Sequence, residues 1–297
     1  MQRKVNIALG GGGVRGVAHL GVVQCLLDHD YLINGIAGTS AGGLFGSMIA
    51  AGHSPREIAV AVDNFFTESN FRVSLAYSSF SLLGTAGIVK SLDPFLKGKT
   101  FDDLTTPFAA TAVSLRTGQE IIIKDGDLIQ AVLATIAIPG FFPSHGDQIL
   151  VDGGLIDPVP VDSARQFDPT LPVIAITLHK RPPGFSLEDI KVPLEDSLSD
   201  PFVKTVSKTK LGEFMRHLTA SVDVVTCKLS ELQLEVSKPD VLIEPMVGHI
   251  SLLQKVDSSH LFDEGYRAME ENLETLEKTY SLVNSFRRIS KYARADA

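Results

Sequence analysis

The chain has no tryptophan, only two cysteines in 297 residues, and no excess of positive charge. It also lacks an unbroken apolar run of the ~18 residues that a membrane-crossing helix needs. Two thiols cannot build a disulfide framework, so Cys25 and Cys227, both in segments of helical character, are expected to act as buried small hydrophobes. Lysine and arginine number 27 against 35 acids, a net charge of -8. That balance argues against nucleic acid as a partner, whose phosphates are met by clustered cations. It also gives no general attraction to anionic lipid, so any membrane contact has to be local, apolar and transient. Met1-Gln2-Arg3-Lys4 leads straight into an apolar strand without a signal-like hydrophobic segment. The expected compartment is the cytoplasm, with peripheral contact at the inner membrane face as the furthest extension.

What is present is a sizeable apolar content, 44% of residues, enough for one large α/β domain. Short apolar runs at 5–9, 35–37, 108–113, 120–123, 148–151 and 173–178 read as strands. Helical periodicity fills 14–28, 41–51, 55–66 and 127–136, with Ser54 and Pro55 as cap and first residue of the third helix. Strands that alternate with helices predict a mostly parallel sheet covered on both faces. Residues 67–92 and 181–200 read as irregular. A long amphipathic helix from Val203 is expected to cover the sheet, with a lipid-facing surface as the alternative. A short strand at 241–244 and a final helix from about Ser259 follow. We read a single domain over 1–297, with a motif-bearing core at about 5–180 and a helical part at about 200–297.

Three glycine-containing motifs carry chemistry. Gly38-Thr39-Ser40-Ala41-Gly42 lies between a strand and a small-residue helix, the setting of a nucleophile elbow. Gly10-Gly11-Gly12-Gly13-Val14-Arg15-Gly16 closes the first strand and places several N–H groups at a helix start, where negative charge is favoured. This run also matches a dinucleotide fingerprint. That reading lacks the acid expected at the end of the second strand, which here runs Ala37-Gly38-Thr39-Ser40. The other reading makes the glycine amides the cradle for the oxyanion formed when Ser40 attacks an ester. Arg15 either holds the glycine loop or meets an anionic head group.

Ser40 requires a base. His179, at a strand end, is the histidine best placed for a triad, but it also reads as a surface residue ahead of Lys180-Arg181. Asp152 is the better candidate: it ends a strand, and Gly153-Gly154 let the chain turn to aim its carboxyl at Ser40. A carboxylate serves as a base here only if burial raises its pKa.

These motifs, in this order, resemble the patatin-like phospholipase family. Ala18-His19-Leu20-Gly21-Val22, Ile138-Pro139-Gly140-Phe141-Phe142-Pro143 and Pro158-Val159-Pro160 are similar to its bacterial, neuropathy-target-esterase-like branch. The resemblance covers about 5–180. It implies a three-layer α/β/α fold and a Ser40-Asp152 dyad without histidine. It further implies an oxyanion hole within Gly11, Gly12, Gly13, Val14, Arg15 and Gly16, and an elbow flanked by Gly38, Thr39, Ala41 and Gly42. The implied activity is hydrolysis of a lipid ester, of the phospholipase or lysophospholipase type, with no metal or organic cofactor. A low-turnover regulatory or lipid-binding protein on the same fold is the alternative. Phe65, Phe66, Phe71, Phe80, Leu82, Leu83, Phe141 and Phe142 are candidates for an acyl pocket or lid, or for ordinary core.

Overall fold

The computed structural model describes residues 3–67, 85–181, 184, 210–252, 257–281 and 288. Strand β1 (Arg3–Leu9) is followed by a 3-10 turn (Gly13–Gly16) and helix α1 (Val17–Asp28). Strand β2 (Tyr31–Thr39) leads through Ser40 into α2 (Ala41–Ala50), and α3 (Pro55–Thr67) and α4 (Ala86–Leu96) follow. Then come β3 (Phe108–Ser114), β4 (Gln119–Ile123), α5 (Leu128–Thr135) and β5 (Leu150–Asp152). After a second 3-10 turn (Gly153–Leu155) the chain forms α6 (Val161–Arg165), β6 (Val173–Ile176), α7 (Lys210–Ser237) and β7 (Val241–Ile243). Helices α8 (Ser258–Glu270) and α9 (Leu273–Thr279) complete it.

One sheet runs in the order β4-β3-β2-β1-β6-β7, with β5 attached to β3. The pairs β3-β2, β2-β1, β1-β6 and β6-β7 are parallel; β4 and β5 run antiparallel to β3. Parallel strands need both faces covered, and the side-chain period of two decides what each face receives. Ile7, Leu9, Ile36, Ile174 and Ile176 join the larger core with α1, α2 and α8. Ala8, Ala37, Val173 and Ala175 face Val161 and Ala164 of α6 on the other side, where Leu234 of α7 also packs. The predicted three layers, α/β/α around a mostly parallel sheet, are therefore present.

Helices α1 and α8 make the most extensive helix–helix contact among the described elements. Their approach depends on glycine at both crossing points. A Cβ on Gly21 would lie 1.9 Å from the Phe262 carbonyl oxygen, and one on Gly265 would lie 1.9 Å from that of Ala18.

The structure corrects several boundaries. Helix α4 occupies part of the stretch expected to be irregular, and it accommodates Pro94 in its last turn. The first helix begins as a 3-10 turn, because Gly13 holds a left-handed φ of 58° that does not continue an α-helix. Strand β5 is shorter than expected and antiparallel rather than one more parallel strand. Cys25 is buried as expected, whereas Cys227 is only half-buried on α7. The beginning of the long helix, the stretch 185–200, and Phe71, Phe80, Leu82 and Leu83 lie outside the described residues.

The glycine crossing gives a stability test. Gly265→Ala inserts a methyl where the Ala18 carbonyl stands, and overpacking of this kind costs about 1–3 kcal/mol. We expect a lower urea midpoint with an unchanged denaturant slope. An unaltered midpoint would show that α8 shifts freely.

Candidate active site

Ser40 sits where β2 hands over to α2, with φ 54° and ψ -119°, a left-handed backbone that a non-glycine residue adopts only under constraint. The constraint is visible. A Cβ on Gly38 would come within 2.3 Å of the Gly42 carbonyl oxygen, and one on Gly42 within 2.0 Å of the Leu9 carbonyl oxygen. Only glycines allow the strand end to fold back so closely on the helix start and on neighbouring β1. Thr135 braces the turn: its hydroxyl oxygen accepts from the Ser40 N–H at 2.9 Å and donates to the Thr111 carbonyl at 2.6 Å. Thr39 ties the same turn to the Asp157 carbonyl at 2.8 Å. Ala41 begins α2 and is buried.

Asp152 reaches Ser40 through sheet register. Strand β2 pairs with β3 up to Thr39 opposite Thr111 and then leaves for the elbow. Strand β5 comes in antiparallel along the same β3 and ends with Asp152 opposite Ala112. The two strands therefore meet end to end, serine against aspartate. The carboxyl Oδ1 accepts from the Gly154 N–H at 2.8 Å, so the Asp-Gly-Gly turn orients the acid, and Gly153 opens the 3-10 turn that supplies this donor. Burial raises the Asp152 pKa to about 6, while the nearby Ser40 side chain and the hydrogen bond from the Gly154 amide hold it from going higher.

The glycine run meets the elbow from the neighbouring strand: a Cβ on Gly11 would stand 3.3 Å from the Ser40 Cβ. The N–H of Gly11 donates to the Pro158 carbonyl, that of Val14 to the Leu252 carbonyl and that of Arg15 to the Gly12 carbonyl. Among the described residues, no main-chain carbonyl takes the N–H groups of Gly12 and Gly13. The amides of Gly11, Val14 and Arg15 are thus already engaged by main-chain carbonyls. Gly16 instead packs its turn against Phe45 and Ala41. His19 Nε2 lies 2.8 Å from the Gly10 carbonyl, and burial lowers the ring's pKa to about 4, so a neutral imidazole donates there and anchors the start of the loop.

Of the two readings of Arg15, the structure supports holding. The guanidinium is buried, and it donates to Asp223 of α7 at 3.2 Å and to the Ile250 carbonyl. Arg181 donates to the other oxygen of Asp223 at 2.9 Å. One carboxylate thereby clamps α7 to the strand ends. His179 is buried beside this clamp rather than on a surface loop, and no hydrogen bond joins it to Ser40 or Asp152. Thr135, Asp223 and Leu252 had no sequence signal: each lies in an ordinary helix or loop far along the chain, and only folding brings it to the elbow.

Two cavities share Gly13, Ser40, Ile138 and Leu252 as a common wall. The larger is apolar and runs between α2, α3 and α4, past Leu44, Met48, Ile58, Leu92 and Phe95. Phe141 and Phe142 both belong to the core, and Phe142 also lines this cavity. The smaller is lined by Asp152, His179, Asp223 and Thr226.

The α/β/α fold thus sets a serine at a strand-to-helix turn against a buried acid. Residues 7–165 match the patatin-like phospholipase family model, and the chain belongs to that family. An uncharacterized NTE family protein of Mycobacterium bovis is 33% identical over 179 residues, 59% of this chain and 49% of that one. Patatin-like phospholipase domain-containing protein 7 of Rattus norvegicus is 28% identical over 185 residues, 60% of this chain and 14% of that one. The chain thus spans about half or less of the length of these relatives. The crystal structure of VipD from Legionella pneumophila aligns with a TM-score of 0.49 at 12% identity, over 93% of this chain and 67% of that one. Family membership points to lipid acyl hydrolase activity. Among the described residues, no helix is long and apolar enough to cross a membrane.

The raised pKa of Asp152 has a stability consequence. Because the folded chain holds this proton more tightly than the unfolded one, the stabilisation is complete below about pH 4 and is lost as pH rises through about 6. Asp152→Asn removes the penalty of a buried charge. We expect it to raise the unfolding free energy measured in urea at pH 8 by at most about 3 kcal/mol, and to change it little near pH 4. An equal shift at both pH values would show that the carboxyl is not protonated by burial.

Proposed function

We propose that the protein is a serine esterase acting on lipid acyl esters, with Ser40 as nucleophile and Asp152 as its base. The observation that carries this reading is the apolar cavity opening at the Ser40 side chain, beside an acid whose pKa burial raises to about 6. Such a cavity suits an acyl chain: burying apolar surface contributes roughly 0.8 kcal/mol per CH₂ group. An acid of pKa about 6 is ionised at neutral pH yet far more basic than an exposed carboxylate, as a general base should be.

In the proposed reaction the Ser40 hydroxyl attacks the ester carbonyl as Asp152 takes its proton. The Gly12 and Gly13 amides stabilise the resulting oxyanion, and loss of one such donor typically costs about 3 kcal/mol in the barrier. The tetrahedral species collapses with cleavage of the bond to the alcohol, which leaves with the proton from Asp152. Water then repeats the sequence on the acyl-serine: Asp152 takes a proton from water, the carboxylic acid departs, and Ser40 recovers its proton. No step requires a histidine or a metal.

Ser40→Ala and Asp152→Asn are expected to reduce p-nitrophenyl ester hydrolysis at least 10³-fold with unchanged circular dichroism. A fluorophosphonate probe should label the wild-type chain and not Ser40→Ala; absence of labelling in the wild type would favour the low-turnover binding protein. For the wild type, kcat/KM should rise with pH through about 6 and then level, since only the ionised acid accepts the proton. Near-normal turnover by Asp152→Asn would assign the base elsewhere.

A further inference from the structure

One buried hydroxyl beside the elbow takes no part in the proposed proton transfers. Thr135, the last residue of α5, is fully buried, as are its neighbours Thr111 and Ser40. A threonine hydroxyl has a single proton, and here it is given to the Thr111 carbonyl at 2.6 Å. Oxygen lone pairs are therefore what the Ser40 N–H meets, and it donates to them at 2.9 Å. Turning the hydroxyl elsewhere would give up both bonds inside a buried site, where lost partners are costly.

The place of this bridge in the sheet matters as much as its chemistry. Thr111 stands opposite Thr39, the residue before the nucleophile, and the next residue of β3, Ala112, stands opposite Asp152. The hydroxyl thus joins the backbone of Ser40 to the part of β3 that carries the acid. Ser40 needs such a hold, because its left-handed φ of 54° persists only where the surroundings enforce it. The methyl group of Thr135 has a separate contact: a Cβ on Gly43 would lie 2.6 Å from Thr135 Cγ2, so the methyl fills the space beside the first turn of α2. Packing and alignment therefore reside in different atoms of one side chain. Thr135 is not part of the lining of either cavity, so neither role involves contact with the ester.

We propose that Thr135 is a positioning residue for acyl transfer, whose hydroxyl holds the Ser40 backbone so that the nucleophile stays aligned with Asp152. This rests on the hydrolase reading above. The hydroxyl acts on the chemical step, and ester binding does not depend on it.

Two variants separate the roles: Thr135→Val keeps the methyl contact and removes the hydroxyl, and Thr135→Ser does the reverse. On a p-nitrophenyl ester, Thr135→Val should lower kcat about a hundredfold, the scale of a misplaced reacting group, with KM little changed. Fluorophosphonate labelling should slow in parallel. Thr135→Ser should keep most of the turnover even where its urea midpoint falls. The rise of kcat/KM through about pH 6 should keep its midpoint in Thr135→Val, since the acid stays buried. Wild-type turnover in Thr135→Val, or equal losses in the two variants, would overturn the proposal and leave the hydrolase reading in place. A raised KM with the pH midpoint moved down would do the same, since it would show a loosened site. Should Thr135→Val not fold, Thr135→Ala replaces it, and turnover equal to that of Thr135→Ser would count against the hydroxyl. Failure of the wild type to hydrolyse the ester, together with absent labelling, would overturn the hydrolase reading and this proposal with it.

Discussion

The site depends on one edge of one strand. Strand β3 offers its β2-facing edge to two partners in succession, β2 as far as Thr111 and β5 from Ala112 onward. Main-chain hydrogen bonds on adjacent residues of β3 thereby fix the ends of both partner strands. Ser40 follows the last paired residue of one, and Asp152 is the last paired residue of the other. A hydroxyl and a carboxyl separated by more than a hundred positions in the chain are set against each other by sheet register. Long-range pairing of this kind gives greater precision than a loop could, because a slip of one residue would turn Asp152 to the opposite face.

Around that junction the protein excludes water, and the consequences differ by group. The Asp152 carboxyl is pushed up to about 6, because burial penalises its charged form. The same physics drives His179 down to about 4, since its charged form is the protonated one and two arginines stand nearby. Burial therefore shifts the acid and the histidine in opposite directions, each towards its neutral form. The Arg15–Asp223–Arg181 cluster is the exception, a buried set of charges in which each has an opposite partner. It ties α7 across the strand ends and so closes one wall of the smaller cavity. A buried ion pair is weak support for stability but strong support for position, which is the role it has here.

The two cavities divide the proposed substrate by polarity. Helices α2, α3 and α4 supply aliphatic and aromatic walls to one, and the strand ends with α7 supply polar groups to the other. Ser40 lies on their common wall, as a reaction at the bond between an apolar acid and a polar alcohol requires. The glycine turn belongs to both, and the Leu252 carbonyl, held by the Val14 N–H, shapes that shared wall. Its left-handed Gly13 is needed because a side chain there would strike the Leu252 carbonyl oxygen at 2.2 Å.

The sequence alone determined the parts whose chemistry is local. Alternating apolar runs and helical periodicity foretold the layered α/β sheet, and the three glycine motifs marked three tight turns, after β1, at Ser40 and after Asp152, because tight backbone geometry leaves few residue choices. Helix α4 was not legible, since Gly87 and Pro94 are poor helix formers within its eleven residues, and β5 was too short to reveal its direction. Which amides of Gly11–Gly16 are available, what Arg15 holds, and whether His179 is buried were settled by tertiary structure alone. Each of those facts is a contact with Pro158, Asp223, Leu252 or α7, segments remote in the chain. Local backbone preference is written in neighbouring residues, whereas desolvation and hydrogen-bond partnership arise only when distant segments pack together.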